Sequence, residues 1–377
     1  MTKQAFQFGK IVEHQNFINR KQEIERLHQN FLNRTHTILI SPRRWGKSSL
    51  VKTAAEKFIS THQNYRLCYI DLFEIRSEKD FYEKYSKVVL GAVYTRMDEW
   101  IEGIKKFLSK ITPKIRLDLQ QEIKFDMSLD IKKEVDAVSE LLNLPERLAE
   151  DKGIELIICL DEFQNIAELP ESMSIQRLLR SVWQKHKHVT YCLYGSKQHM
   201  LTDLFNKKSM PFFRFGDLFY LDKISSEEWV NYICRQFEDT GKNITDQLAE
   251  RVVIAMDQHS YYVQQLSYYV WTHTEIIATE KIFDMAVKQL LQSNTILFQK
   301  DFESLSRTQV NFLKMLLDGV TDGFTRGEIL VRYELGTSAN VAKIIPQLEK
   351  KEILEIYGKK VSFSDPAFAL WLKQLFA

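Results

Sequence analysis

The sequence predicts an α/β chain built on a parallel sheet, followed by an all-helical stretch and a small helix-and-hairpin module. Three observations lead there: short apolar runs alternate with helix-period segments in the first part of the chain, the pattern after Leu221 is almost wholly helical, and the 377 residues hold only 13 Gly and 7 Pro. Strands that alternate with helices join through crossovers, so they run parallel inside a covered sheet and are apolar throughout. So few Gly and Pro leave little room for long flexible linkers or for a sandwich with many tight turns.

Residues 20–33 carry apolar groups at helical spacing, and Thr37 to Ile40 is a short strand that stops at Ser41-Pro42. A helix over about 47–60 follows, then a second strand from Tyr65 to Phe73 and a helix-rich stretch from Asp80 to about Leu108. From Lys114 to Ile131 the period changes to two, which predicts a half-buried hairpin, and a helix is expected over 132–149. Ile154 to Leu160 is a buried strand bounded by Gly153 and the pair Asp161-Glu162, and Val189 to Tyr194 is another, closed by Gly195-Ser196.

The 44% hydrophobic fraction, with 24 Phe, 15 Tyr and 6 Trp, supplies core material that disordered chains lack. Lys plus Arg number 52 against 50 Asp plus Glu, so no whole-chain field draws the protein to nucleic acid or an anionic membrane, and any such contact must be local. Cys68, Cys159, Cys192 and Cys234 show no CxxC spacing, and three lie in apolar strand-like runs, where a thiol acts as a small hydrophobe. No apolar run approaches the ~18 residues of a membrane span, and the opening MTKQAFQFGK has no apolar signal core. A cytoplasmic protein with no membrane partner is therefore expected.

The sharpest motif is Ser41-Pro42-Arg43-Arg44-Trp45-Gly46-Lys47-Ser48-Ser49-Leu50, set between a strand and a helix. It fits the phosphate-loop pattern G-x-x-x-x-G-K-[ST] at every fixed position but the first, where Ser41 stands for Gly. Backbone N–H groups of such a loop and the following helix N-terminus converge on anionic oxygens. Lys47 adds a point charge at the β and γ phosphates, and Ser48 offers a hydroxyl to Mg²⁺. The second motif is the apolar strand Ile157-Ile158-Cys159-Leu160 ending in Asp161-Glu162. A strand buried on both faces keeps its acids at the carboxyl end, where open α/β sheets bind ligands. Asp161 there suits Mg²⁺ held through water, and Glu162 suits the base that orients and deprotonates the attacking water.

Together ISPRRWGKSSL and IICLDEF resemble the AAA+ P-loop ATPases, and more narrowly the archaeal-type ATPases of prokaryotes related to the STAND class. Four further segments carry the resemblance along the chain. Phe17-Ile18-Asn19-Arg20-Lys21-Gln22-Glu23-Ile24 resembles the family's opening F-x-G-R-x-x-E-I box, which implies that Phe17 and Ile18 line the adenine, with Asn19 in place of Gly. Ser196 falls where the family places a polar sensor for the γ-phosphate; the alternative is a cap on the next helix. Pro211-Phe212-Phe213-Arg214-Phe215-Gly216 falls where relatives carry P-L-Y-G-R, which makes Arg214 the arginine-finger candidate, the alternative being a surface arginine among core aromatics. Gln258-His259-Ser260-Tyr261-Tyr262-Val263 resembles a lid-helix G-H-P motif without its Gly and Pro. The resemblance implies ATP as substrate, Mg²⁺ as its metal, and homo-oligomers.

The organisation expected is an AAA+ ATPase core over 1–222 with the hairpin near 114–131 inserted, a helical lid over 223–299, and a winged helix over 300–377. The last module is expected to hold helices at Thr308–Leu317, Thr325–Tyr333 and Ser338–Lys351, the third kinked at Pro346, a hairpin tipped by Gly358, and an aromatic tail. Residues 301–377 hold ten basic and ten acidic side chains, so this module lacks the basic face by which duplex readers gain phosphate affinity. Two tasks follow from the sequence: an NTP-driven regulatory switch on a protein partner, or a DNA-associated ATPase resembling transposition helpers or origin-recognition proteins.

Overall fold

A computed structural model describes residues 5–10, 17–18, 20–94, 115–117, 123–125, 135–357 and 360–376. These fall into two compact units, one of Arg20–Asp222 and one that joins Met1–Asn19 to Lys223–Ala377. The first unit holds α1 (Lys21–Leu32), β1 (Thr37–Ile40), α2 (Lys47–Thr61), β2 (Tyr65–Asp71), α3 (Glu78–Val93), β3 (Ile115–Leu117), β4 (Ile123–Phe125), α4 (Val135–Leu142), α5 (Leu144–Lys152), β5 (Glu155–Asp161), α6 (Ser172–Trp183), β6 (Val189–Gly195), α7 (Gln198–Asn206) and β7 (Asp217–Tyr220). Five strands form one sheet in the order β2-β5-β6-β1-β7, every pair parallel. The apolar runs of β5 and β6 are buried nearly throughout, as central strands must be. Register brings the strand ends level: Asp71 lies opposite Asp161, Leu160 opposite Leu193, and Ile40 between Gly195 and Tyr220. Both sequence motifs therefore leave the sheet at one edge.

Some expectations change. The single helix over 132–149 is two, because the chain breaks at Asn143 and restarts with Pro145 in the first turn of α5, where its missing N–H costs nothing. The hairpin is present as β3 paired antiparallel to β4, while the rest of 114–131 lies outside the described residues, as do positions 95–108 of the helix-rich stretch. The assignment of residues 1–19 to the α/β core changes for the described residues among them: 5–10 and 17–18 go with the helical unit. Ala5 and Phe6 are buried there, and Phe6 meets Tyr232 and Phe237 edge-on at 6.0 and 5.8 Å.

In the helical unit, α8 (Ser226–Glu238), α9 (Asp246–Ala255), α10 (Ser260–His273) and α11 (Glu280–Glu303) precede α12 (Arg307–Leu317), α13 (Gly327–Arg332), α14 (Ser338–Lys350), the antiparallel pair β8 (Leu354–Tyr357) and β9 (Lys360–Phe363), and α15 (Pro366–Phe376). Ser225 with Glu228 and Ser306 with Gln309 close reciprocal caps that start α8 and α12. Residues 223–299 and 300–377 share one apolar core, so the separate lid and terminal module of the sequence reading form a single unit. Within α14, Ile344 and Leu348 are buried and Pro346 is accommodated without ending the helix. Tip residue Gly358 lies outside the described residues.

A buried polar chain supports the α/β core at its other end. Tyr85 and Tyr191 share a hydroxyl contact at 2.9 Å, Tyr191 Oη meets His186 Nδ1 at 3.0 Å, and His186 Nε2 meets Asn143 Oδ1 at 3.2 Å. Since the Asn143 oxygen can only accept, His186 carries its proton on Nε2, and the Tyr191 hydroxyl donates to Nδ1. His36 stacks on Phe215 at 4.4 Å and accepts the Tyr191 N–H through Nδ1 at 3.2 Å. Burial, helped by the Arg180 charge, pushes His36 from the ordinary 6.5 down to about 4; burial and the neighbouring His36 push His186 to about 4 as well. The unfolded chain thus takes up these protons first as the pH falls. Stability is fully present above the ordinary histidine range and lost between pH 6.5 and 4, by on the order of 3 kcal/mol for each ring. Urea midpoints measured across that range are expected to fall with acidity, and a flat profile would contradict the neutral, half-buried pair.

Candidate nucleotide site

The loop after β1 starts as a continuation of the sheet: Ser41 N–H donates to Gly195 O at 3.3 Å, and the fully buried Ser41 hydroxyl donates to Pro42 O at 3.1 Å. The first turn is thus built without a glycine. Arg44 (φ 63°) and Gly46 (φ 91°) both take the left-handed conformation that curls the loop onto α2. Leu50 N–H then donates to Gly46 O at 2.9 Å, which starts the helix, and a helix N-terminus in this position favours an anion. Pro42 and Ser49 are buried, Trp45 and Gly46 half-buried, and Arg43 and Arg44 exposed.

The ends of β5 and β6 meet this loop. Lys47 Nζ lies 2.6 Å from Glu162 Oε1 and 3.4 Å from Asp161 Oδ1. Ser48 Oγ donates to Asp161 Oδ2 at 2.6 Å, and Ser196 Oγ donates to Glu162 Oε2 at 2.8 Å. Burial raises the Asp161 carboxyl above its usual range even against the Lys47 charge. Burial works the same way on Glu162, but there the Lys47 charge and the donors of Lys47, Gln164 and Ser196 outweigh it and hold the group below its ordinary value. Two acids at one strand end are thus pushed apart, with Glu162 the more firmly ionised. Its backbone is left-handed (φ 52°), a conformation costly for a residue with a side chain and found at functional sites.

Ser48 and Asp161 present two hard oxygen donors within hydrogen-bond distance of each other. They suit Mg²⁺, which keeps several waters and takes few protein ligands beside substrate phosphates. Among the described residues no group of three or more His, Cys, Asp or Glu could form an all-protein cage.

The chain matches, over residues 17–266, the family described as an ATPase domain predominantly from Archaea. The protein belongs to that family. Its fold is that of a P-loop AAA+ ATPase, and this archaeal-type ATPase is similar along nearly its whole length to a Walker-type ATPase of Pyrococcus abyssi, with 19% identity, coverage of 98% of this chain and 99% of that one, and a TM-score of 0.68. The ORC2 protein of Aeropyrum pernix, in a structure of its ADPNP-ADP complexes, is 14% identical over 96% of each chain with a TM-score of 0.57. Its ADP form gives 14% identity over 97% of each chain and a TM-score of 0.54. At such identities the likeness is one of fold. No curated protein matches the sequence of this archaeal-type ATPase, and no helix among its described residues is long and apolar enough to cross a membrane.

Arg214 is exposed on the loop between α7 and β7, left-handed (φ 53°), its guanidinium 5.2 Å from the Phe213 ring, while Phe212 and Phe215 are core. Ile18 is buried in the helical unit's core and Phe17 is half-buried. His259 is buried beside Tyr262 at 5.1 Å, and Gln258 (φ 57°) is left-handed, a conformation that favours glycine. Asp71 accepts the Phe73 N–H at 2.9 Å, closing a turn after β2. Sequence reasoning missed Gln164, whose Nε2 donates to Glu162 Oε2 at 2.5 Å. Its signal was a polar residue two places past Glu162, between the apolar Phe163 and Ile166.

Proposed function

We propose that this archaeal-type ATPase binds ATP on the loop 41–49 and hydrolyses it, using the cycle as a switch that assembles the protein with itself and acts on a protein partner. The observation that carries the reading is the convergence of Lys47, Ser48, Asp161, Glu162 and Ser196 through contacts of 2.6 to 3.4 Å where the loop meets the ends of β5 and β6. Loop amides and Lys47 bind the phosphates, Glu162 aligns a water and accepts its proton, and Ser196 holds the second carboxylate oxygen of Glu162. The water oxygen bonds to the γ-phosphorus as the bond to the bridging oxygen breaks, leaving ADP and phosphate. Ser48 and Asp161 would hold Mg²⁺, which would neutralise charge on the phosphates. A protein partner is favoured over DNA by the balance of ten basic and ten acidic side chains over 301–377.

The test is Lys47→Ala. It removes the cation from the phosphates and leaves Asp161 and Glu162 without their counter-ion. Truncating one member of such a pair costs about 2–5 kcal/mol, so calorimetry is expected to show ATP affinity falling at least ~30-fold. Equal affinity in the variant and the parent would remove the loop from nucleotide binding. Salt-sensitive duplex binding that also stimulates turnover would replace the protein-partner task with a DNA-associated one.

A further inference from the structure

Glu162 has two carboxylate oxygens, and the site treats them differently. Oε1 faces Lys47 Nζ at 2.6 Å, and Lys47 marks the phosphate side. Oε2 takes two neutral donors, Ser196 Oγ at 2.8 Å and Gln164 Nε2 at 2.5 Å. Gln164 is only 1% exposed, and its own Oε1 is buried without a hydrogen-bond partner. An unpaired amide oxygen in the interior costs stability, so a merely structural position would favour an apolar side chain. The orientation of the amide is also settled, because flipping it would set an oxygen against Oε2.

The space for that amide is reserved by another strand. A Cβ on Gly195 would lie 2.0 Å from Gln164 Oε1, so β6 must end in glycine to let the amide in. Gly195 and Ser196 thus form a pair, the first admitting one donor to Glu162 and the second supplying the other. The support is rigid: the short 3₁₀ turn Phe163–Glu168 carries Gln164, and Phe163 is packed against Phe212 and Phe205 at 5.2 and 5.8 Å.

We propose that Gln164 is a positioning residue for hydrolysis: its amide pins Glu162 Oε2, so that Oε1 is the oxygen that meets the attacking water. This rests on the reading of Glu162 as the base. A misplaced base slows the chemical step and leaves ground-state binding alone. Gln164→Met keeps the length of the side chain and removes the donor. It is expected to lower kcat by ~10- to 100-fold with little change in the affinity for a slowly hydrolysed ATP analogue. Gly195→Ala, which evicts the amide without deleting it, is expected to give the same split, and it serves alone if Gln164→Met does not fold. In a Gln164→Ala background, where the amide is gone and room is made, Gly195→Ala is expected to add little. Parental kcat in Gln164→Met, or kcat and affinity falling in step, would overturn the proposal. If the parent itself hydrolyses no ATP, the reading of the site falls, and the anchor is judged by thermal unfolding without nucleotide. Tm losses of Gln164→Met and Glu162→Ala that fail to add would uphold the contact, and additive losses would refute it.

Discussion

Replacing Glu162 by glutamine is expected to leave a protein that holds ATP and scarcely hydrolyses it, with turnover reduced by ~10²- to 10⁴-fold, the usual share of a general base. Glutamine keeps the shape of the side chain, and its amide oxygen can still receive Ser196 and Gln164, so the local packing survives. It cannot accept a proton, and it removes one of the two acids beside Lys47. With less competition for that cation, ATP affinity is expected to stay level or rise slightly. Single-turnover hydrolysis read beside calorimetric binding separates the two effects. Unchanged turnover would take the base role from Glu162, and a matching loss of binding would make the residue structural.

Mutation of Arg214 is expected to have an effect as large, but only in assembled protein. An arginine supplied to the γ-phosphate stabilises transition-state charge and contributes ~10³–10⁵ in rate. In the single chain Arg214 is exposed and stacks on its neighbour Phe213, and its backbone, left-handed, is tied to the last turn of α7 by Arg214 N–H donating to Phe205 O at 3.3 Å. If it serves a second copy, specific activity rises with protein concentration, and Arg214→Ala removes the rise with little loss of ATP affinity. Mixing Arg214→Ala with Glu162→Gln then restores activity, because one interface pairs the intact arginine of the second with the intact base of the first. Turnover independent of concentration, together with no rescue in the mixture, would leave a subunit that works alone.

Sequence patterns revealed the residues whose role is local. Lys47 and Ser48 lie on one turn between a strand and a helix, and Asp161 with Glu162 closes an apolar run, so strand–turn–helix order alone brings them to the sheet edge. Gln164 escaped because its meaning depends on Gly195, a residue on another strand, and no periodicity records that a missing Cβ makes room for an amide. Phe6 escaped for the same reason: its partners, Tyr232 and Phe237, lie more than two hundred residues away in the sequence. The break at Asn143 was visible in Pro145 but was overridden by the continuous apolar spacing on either side.

The placement of Phe6 also bears on how the chain is made. Arg20–Asp222 is a complete unit by the time residue 222 has been synthesised, whereas the strap carrying Phe6 must await Tyr232 and Phe237. At roughly 5–20 residues per second, translation leaves that segment without its partners for on the order of 10–45 s. During this interval an independent α/β body is tethered to a preceding segment whose aromatic side chain has no partner. Residues that precede the α/β body in the sequence are therefore buried only after it has been made, and the helical unit closes once the segments on both sides of that body are present.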